Sequence, residues 1–101
     1  MTVPFTPGPW NVQSHDLQQR IKAGAATIAL PCMNDHVSAL QCSANARLIS
    51  AAPDLLAALE ELIAEWDAMH ADEDHRTGYT LDTGGIRMAR AAIARATGGE
   101  A

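Results

Sequence analysis

Between Ser43 and Ala71 the apolar residues Leu48, Ala52, Leu55, Leu59, Leu62, Trp66 and Met69 recur in alternating steps of four and three. No other feature limits the fold of this chain so strongly, because that alternation marks a helix with one dry face. Ile49, Leu56 and Ile63 widen the stripe on one flank, whereas Glu60, Glu61, Glu65 and Asp67 fall mostly off it. Pro53 interrupts the run. It has no amide hydrogen to donate, and its ring collides with the carbonyl four residues earlier, so the helix must kink or restart there. Asp54 suits a new N-terminus through the helix dipole. The sequence thus predicts a kinked long helix over residues 43–71, capped by the Ser43 hydroxyl, with the rest of the chain covering its dry face.

Residues 1–9, MTVPFTPGP, hold three prolines and a glycine and read as an extended arm. Over residues 10–30 the β-formers Val12, Ile21, Thr27 and Ile28 alternate with turn points at His15-Asp16 and Gly24, which predicts an antiparallel β-meander. A sheet this small needs a helix on one face. Residues 31–42, of mixed polarity, read as a loop, as do residues 72–82, where acidic repulsion and Gly78 end the periodicity. A last helix lies within residues 83–97, capped by Asp82 or Thr83, with Ile86, Ala89, Ile93 and Ala96 inward and Arg87, Arg90 and Arg95 placed to meet Glu61, Glu65 or Asp67. The expected fold is α+β and one domain over residues 1–101: a small N-terminal antiparallel meander packed on a kinked long helix and an antiparallel C-terminal helix.

A net charge of -5 argues against a phosphate-backbone binder that works by diffuse charge, so no direct nucleic-acid partner is expected. Cys32 and Cys42 have neither metal-ligand spacing nor a disulfide-framework count, and read as free thiols in a reducing cytoplasm. No apolar segment reaches bilayer length without charges, so no membrane is implicated. His70, Asp72, Asp74 and His75 are ligand types for zinc or nickel, but their spacing fits no known site; a solvated acidic loop is the simpler account and no metal is expected. His15, Asp16, Cys32 and His36 are tied together by no motif. Nucleophile elbow, phosphate loop and paired catalytic carboxylates are all missing, which points away from an enzyme and from any cofactor.

The segments PFTPGPWNV and SANARLISAAPDLLAALEELI resemble those of a group of short accessory proteins of temperate phages and prophages. Members start with a TPGPW-like segment, pass through a short glycine-containing strand region, and carry an ANARLIAAAPDLLAAL-like helix and an alanine-rich last helix. Ser50 departs from the pattern, which has alanine there, and residues 31–42 and 67–82 match nothing in it. The resemblance implies a phage accessory protein acting in the cytoplasm of a bacterial host, a class that includes inhibitors of bacterial immunity. In architecture the chain is loosely similar to phage sponges that sequester cyclic-nucleotide or cyclic-ADP-ribose signals.

A nucleotide pocket needs an apolar or aromatic wall, a few donors and a partner for phosphate. Trp10, Asn11, Asn45 and Arg47 supply these types. The structural account of the same residues is that Trp10 plugs the sheet against the helix, Asn45 makes a cap bond and Arg47 pairs with an acid. Leu48 to Met69 spans about 30 Å at helical rise, longer than the last helix covers, so the chain itself is an expected partner as a homodimer or higher oligomer. The leading expectation is a non-catalytic counter-defence protein that sequesters a small nucleotide-derived signal molecule between subunits. The alternative is an inhibitor that binds a host defence protein, of CRISPR-Cas type, through the acidic loop or a helix face.

Overall fold

A computed structural model describes residues 5–15, 18–31, 34–77 and 83–99, with side chains except those of residues 15 and 72–77. Three strands come first: β1 (Asn11–His15), β2 (Gln18–Ala23) and β3 (Ala26–Ala29), antiparallel in the order β1-β2-β3. Asn11 pairs with Lys22, Val12 with Ile21 and Gln13 with Arg20. A bulge at Ile21/Lys22 shifts the β2–β3 register, so Ile21 faces Ala29 while Lys22 faces Thr27. The β2–β3 hairpin turns at Gly24, whose φ of 60° is one that side-chain-bearing residues seldom adopt.

Helix α1 (Ala39–Ser50) covers the sheet from one side, packing on β2 and β1. It starts at Ala39 rather than in the expected 43–71 span, and its cap is Ser38 rather than Ser43. The Ser38 hydroxyl accepts from the Gln41 amide at 3.2 Å while the Gln41 side chain accepts from the Ser38 amide at 2.9 Å. This reciprocal box satisfies two orphan donors of the first turn. Its sequence signature, Ser-x-x-Gln, lies in the stretch read as a loop. Just before it, the Asn34 side chain accepts from the amides of His36 and Val37, closing a tight turn.

Ala51 separates α1 from α2 (Ala52–Thr77), which is the restart at Pro53 that the sequence allows, with the Ala51 carbonyl accepting from the Leu55 amide at 2.9 Å across the junction. Pro53 sits in the first turn of α2, where its missing donor costs nothing. The helix also runs to Thr77 through residues expected to form a loop. The sequence holds no glycine or proline between Ala71 and Thr77, and Gly78 is its first strong breaker. The last helix, α3 (Gly84–Ala96), is capped by Thr83, whose hydroxyl accepts from the Ile86 amide at 3.3 Å.

The chain forms two compact units, Met1–Leu55 and Leu56–Ala101. In the first, Ile21 and Ala46 are fully buried and Cys42 nearly so, which centres the core between β2 and one face of α1. In the second, Ile63 is the buried residue among those described, and Leu56, Leu59, Trp66 and His70 beside it are half-buried. Trp66 and His70, one turn apart, meet with ring centroids 4.1 Å apart and their planes tilted by 43°. The inward line of α2 thus takes Leu59 and Trp66 of the predicted stripe together with Leu56 and Ile63 of its flank. Leu55, Leu62 and Met69, the other edge of the stripe, are 50%, 58% and 70% exposed. Arg90 clasps Asp67 across the two helices, with Nη2 2.6 Å from Oδ1 and Nη1 3.3 Å from Oδ2, one of the pairings expected from the sequence.

Candidate functional site

Trp10 lies at the junction of the arm and β1, half-buried, and its indole Nε1 donates to the Thr6 carbonyl at 3.0 Å. The indole therefore holds the arm folded on itself. Asn11 opens β1 and is exposed. Its cross-strand partner Lys22 donates from Nζ to the Ala25 carbonyl at 3.0 Å and to the Thr27 hydroxyl at 3.4 Å. Strand side chains alternate between faces, so Asn11, Gln13, Arg20, Lys22 and Thr27 lie on the side opposite buried Ile21 and Val12. That face carries amides, a hydroxyl and two cations, and no carboxylate among the described residues. Arg20 donates from Nη2 to the Gln18 side chain at 3.4 Å, and its Nε is buried without a partner.

Asn45 and Arg47 sit on α1 on either side of buried Ala46, and both side chains are exposed. Neither takes the structural role open to it. The cap of α1 is made by Ser38 and Gln41, and the Arg47 side chain has no ion pair among the described residues; its carbonyl accepts from the Ser50 hydroxyl at 2.9 Å and the Ala51 amide at 3.1 Å. The four predicted residues do not converge. Asn11 is on the sheet face turned away from the core, whereas Asn45 and Arg47 are on the helix that packs on the core face. Gln13, Arg20 and Lys22, which flank Asn11, were not singled out by the sequence reading, although their two-residue spacing places them on one face. Of the residues weighed as a metal or nucleophilic site, Asp16, Cys32 and the side chains of His15, Asp72, Asp74 and His75 lie outside those described. Cys42 is buried, its thiol donating to the Pro31 carbonyl at 3.4 Å.

The two motifs of the sequence meet in space. A Cβ placed on Gly8 of the TPGPW segment would stand 3.0 Å from Cβ and 3.4 Å from Cγ of Pro53, the proline of SAAPDLL. Bare backbone at position 8 is what lets the arm lie against the first turn of α2. Residues 1–100 match the family described as Salmonella phage P22 protein Y8K6. The chain belongs to that family. Membership in the Y8K6 family makes it a phage protein, in line with the resemblance carried by the two motifs. The chain matches no curated protein and no solved structure. None of the helices described in this Y8K6 family member is long and apolar enough to cross a membrane.

Proposed function

We propose that this phage protein is a non-catalytic counter-defence protein that binds a nucleotide-derived immune signal, of cyclic-nucleotide or cyclic-ADP-ribose type, and sequesters it. The observation that carries this reading is the state of α1: Asn45 and Arg47 stand exposed with their side chains unengaged among the described residues, so the ordinary structural roles do not account for them. An arginine held on a rigid helix without a carboxylate partner suits a phosphate group, and an amide two residues away suits a base or ribose edge. Asn11 and the cations around it offer a second donor-rich surface on the sheet. Because Asn11 and Asn45/Arg47 lie on different sides of the sheet, one protomer supplies only part of such a site, and a pocket between subunits is the arrangement that unites them. Trp10 would serve as the wall of that pocket. The mechanism is mass action: a tight binder in excess lowers the free messenger without chemistry.

The test is a thermal-shift screen of the purified protein against cyclic di- and trinucleotides and cyclic ADP-ribose isomers, since binding to the native state raises the melting temperature. A saturable shift with one ligand, lost in Arg47→Ala, supports the reading. No shift with any ligand, together with no small molecule released from heat-denatured protein, overturns it. A second reading, inhibition of a host defence protein through a helix face, is favoured by one observation: the exposed Leu62 and Met69 on α2, bordered by Glu61 and Glu65. Capture of a host defence protein by the wild-type chain from phage-infected cells, with no thermal shift for any of the nucleotides, would favour this second reading over the first.

A further inference from the structure

We infer that the unit Leu56–Ala101 is one half of a symmetric assembly, in which the exposed line Leu62-Glu65-Met69 of α2 docks on the exposed line Met88-Arg95 of α3 from a second copy of this chain. Ile63 is turned about 100° around the helix from Leu62, the step between consecutive residues. The inward side of α2 thus lies beside its exposed apolar line, and the helix has two adjoining contact faces, as a helix in a bundle of four does. The pair of helices within one copy uses only the first. Leu62 is 58% exposed, Met69 70% and Met88 73%. Together they leave on the order of 400 Å² of side chain in water, about half of the ~800 Å² per partner that a stable interface buries; the stems of the flanking Glu and Arg residues supply more.

Charge identifies the occupant. On α2 the apolar line is bordered by Glu61 and interrupted by Glu65, and neither acid has an ion pair among the described residues. On α3, Met88 lies between Arg87 beside it and Arg95 seven residues on, along the same face, and neither arginine is paired there. One helix offers leucine and methionine with acids, the other methionine with arginines. The same chain carries both halves of the match, so a twofold axis would satisfy it twice, α2 on the partner's α3 and α3 on the partner's α2. The inference bears on the subunit association that the sequestration reading assumes, but it is tested without ligand, so its failure and that of the sequestration reading are separable.

The experiment is sedimentation velocity of the full chain across micromolar concentrations, with far-UV circular dichroism to check the fold. Wild type is expected to dimerise, and Leu62→Glu and Met69→Glu to be monomeric with unchanged helicity. The charge arm uses two doubly substituted chains, E61R/E65R and R87E/R95E. Each is expected to dimerise at least tenfold more weakly than wild type by itself, and the two to recover when mixed, because reversal on both sides restores every cross-copy pair. A wild-type monomer at all concentrations would overturn the inference. So would a dimer indifferent to Leu62→Glu and Met69→Glu, or reversed chains that fail to recover on mixing.

Discussion

Gly8→Ala is the substitution whose effect follows most directly from the geometry. Gly8 is not among the glycines of positive φ, so alanine is acceptable to the backbone and only space decides. The added methyl would stand 3.0 Å from Pro53 Cβ, 3.4 Å from Pro53 Cγ and 3.8 Å from the Trp10 amide nitrogen. The first of these is several tenths of an ångström inside ordinary contact, and the atom it meets belongs to a closed ring in a helical first turn, which cannot rotate away. Overpacking of this kind costs about 1–3 kcal/mol. Loss of glycine's freedom in the unfolded chain offsets about 0.4–1 kcal/mol of that. The net expectation is a destabilisation of about 1 kcal/mol, or roughly 4–8 °C in melting temperature for a domain of this size. Urea unfolding followed by tryptophan fluorescence measures it, with Trp66→Phe as background so that Trp10 alone reports. In a Pro53→Gly background, where the obstructing atoms are gone, the penalty should vanish. A neutral or stabilising Gly8→Ala in the wild-type background would refute the reasoning, because it would mean that the arm does not rest on Pro53.

Other expectations follow from single contacts. Ser38→Ala should cost about 1 kcal/mol through loss of the capping box, while Ser43→Ala, inside the helix, should stay within about 0.5 kcal/mol; urea titration of both variants distinguishes the two cap assignments. Ile21→Ala, which empties a fully buried position of the sheet, should cost about 2–5 kcal/mol by the same assay. The Arg90–Asp67 pair is two-pronged but its side chains are 37% and 52% exposed, so a double-mutant cycle with Arg90→Ala and Asp67→Asn should return no more than about 1 kcal/mol, decreasing with added salt.

Much of this architecture is legible in residue order. Val12, Ile21 and Gly24 mark a meander by alternation and turn chemistry, Thr83 marks the start of α3, and the Arg90–Asp67 pair follows from charge placed opposite charge. The errors have physical causes. Ser43 looked like a cap because it precedes the heptad run, yet Ser38 has glutamine three residues on, and reciprocal bonding outweighs adjacency to the apolar pattern. The acidic stretch after His70 reads as a helix end because like charges repel, but like-charge repulsion one turn apart on a helix is weaker than the loss of backbone hydrogen bonds that ending the helix entails. Periodicity located the apolar side of α2 but not which edge of it is buried, since a stripe as wide as Leu55, Leu56, Leu59, Leu62 and Ile63 does not say which edge faces inward. The candidate site was legible only in kinds of residue. Asn11 and Arg47 fall on different sides of the sheet because β1 begins with its first side chain turned away from the core, a parity that composition does not contain.

The meeting of Gly8 with Pro53 makes the stretch between them a closed loop, joined at its base like a purse by a drawstring. The sheet and α1 hang inside it, and the two motifs frame them. For a flexible loop the entropic cost of closure grows only with the logarithm of length, about 0.6 kcal/mol for each doubling. Residues added at the Gly24–Ala25 turn would thus scarcely strain the base, while a single methyl at the base would. A chain built this way can change what it presents from the interior of the loop and keep the same fastening.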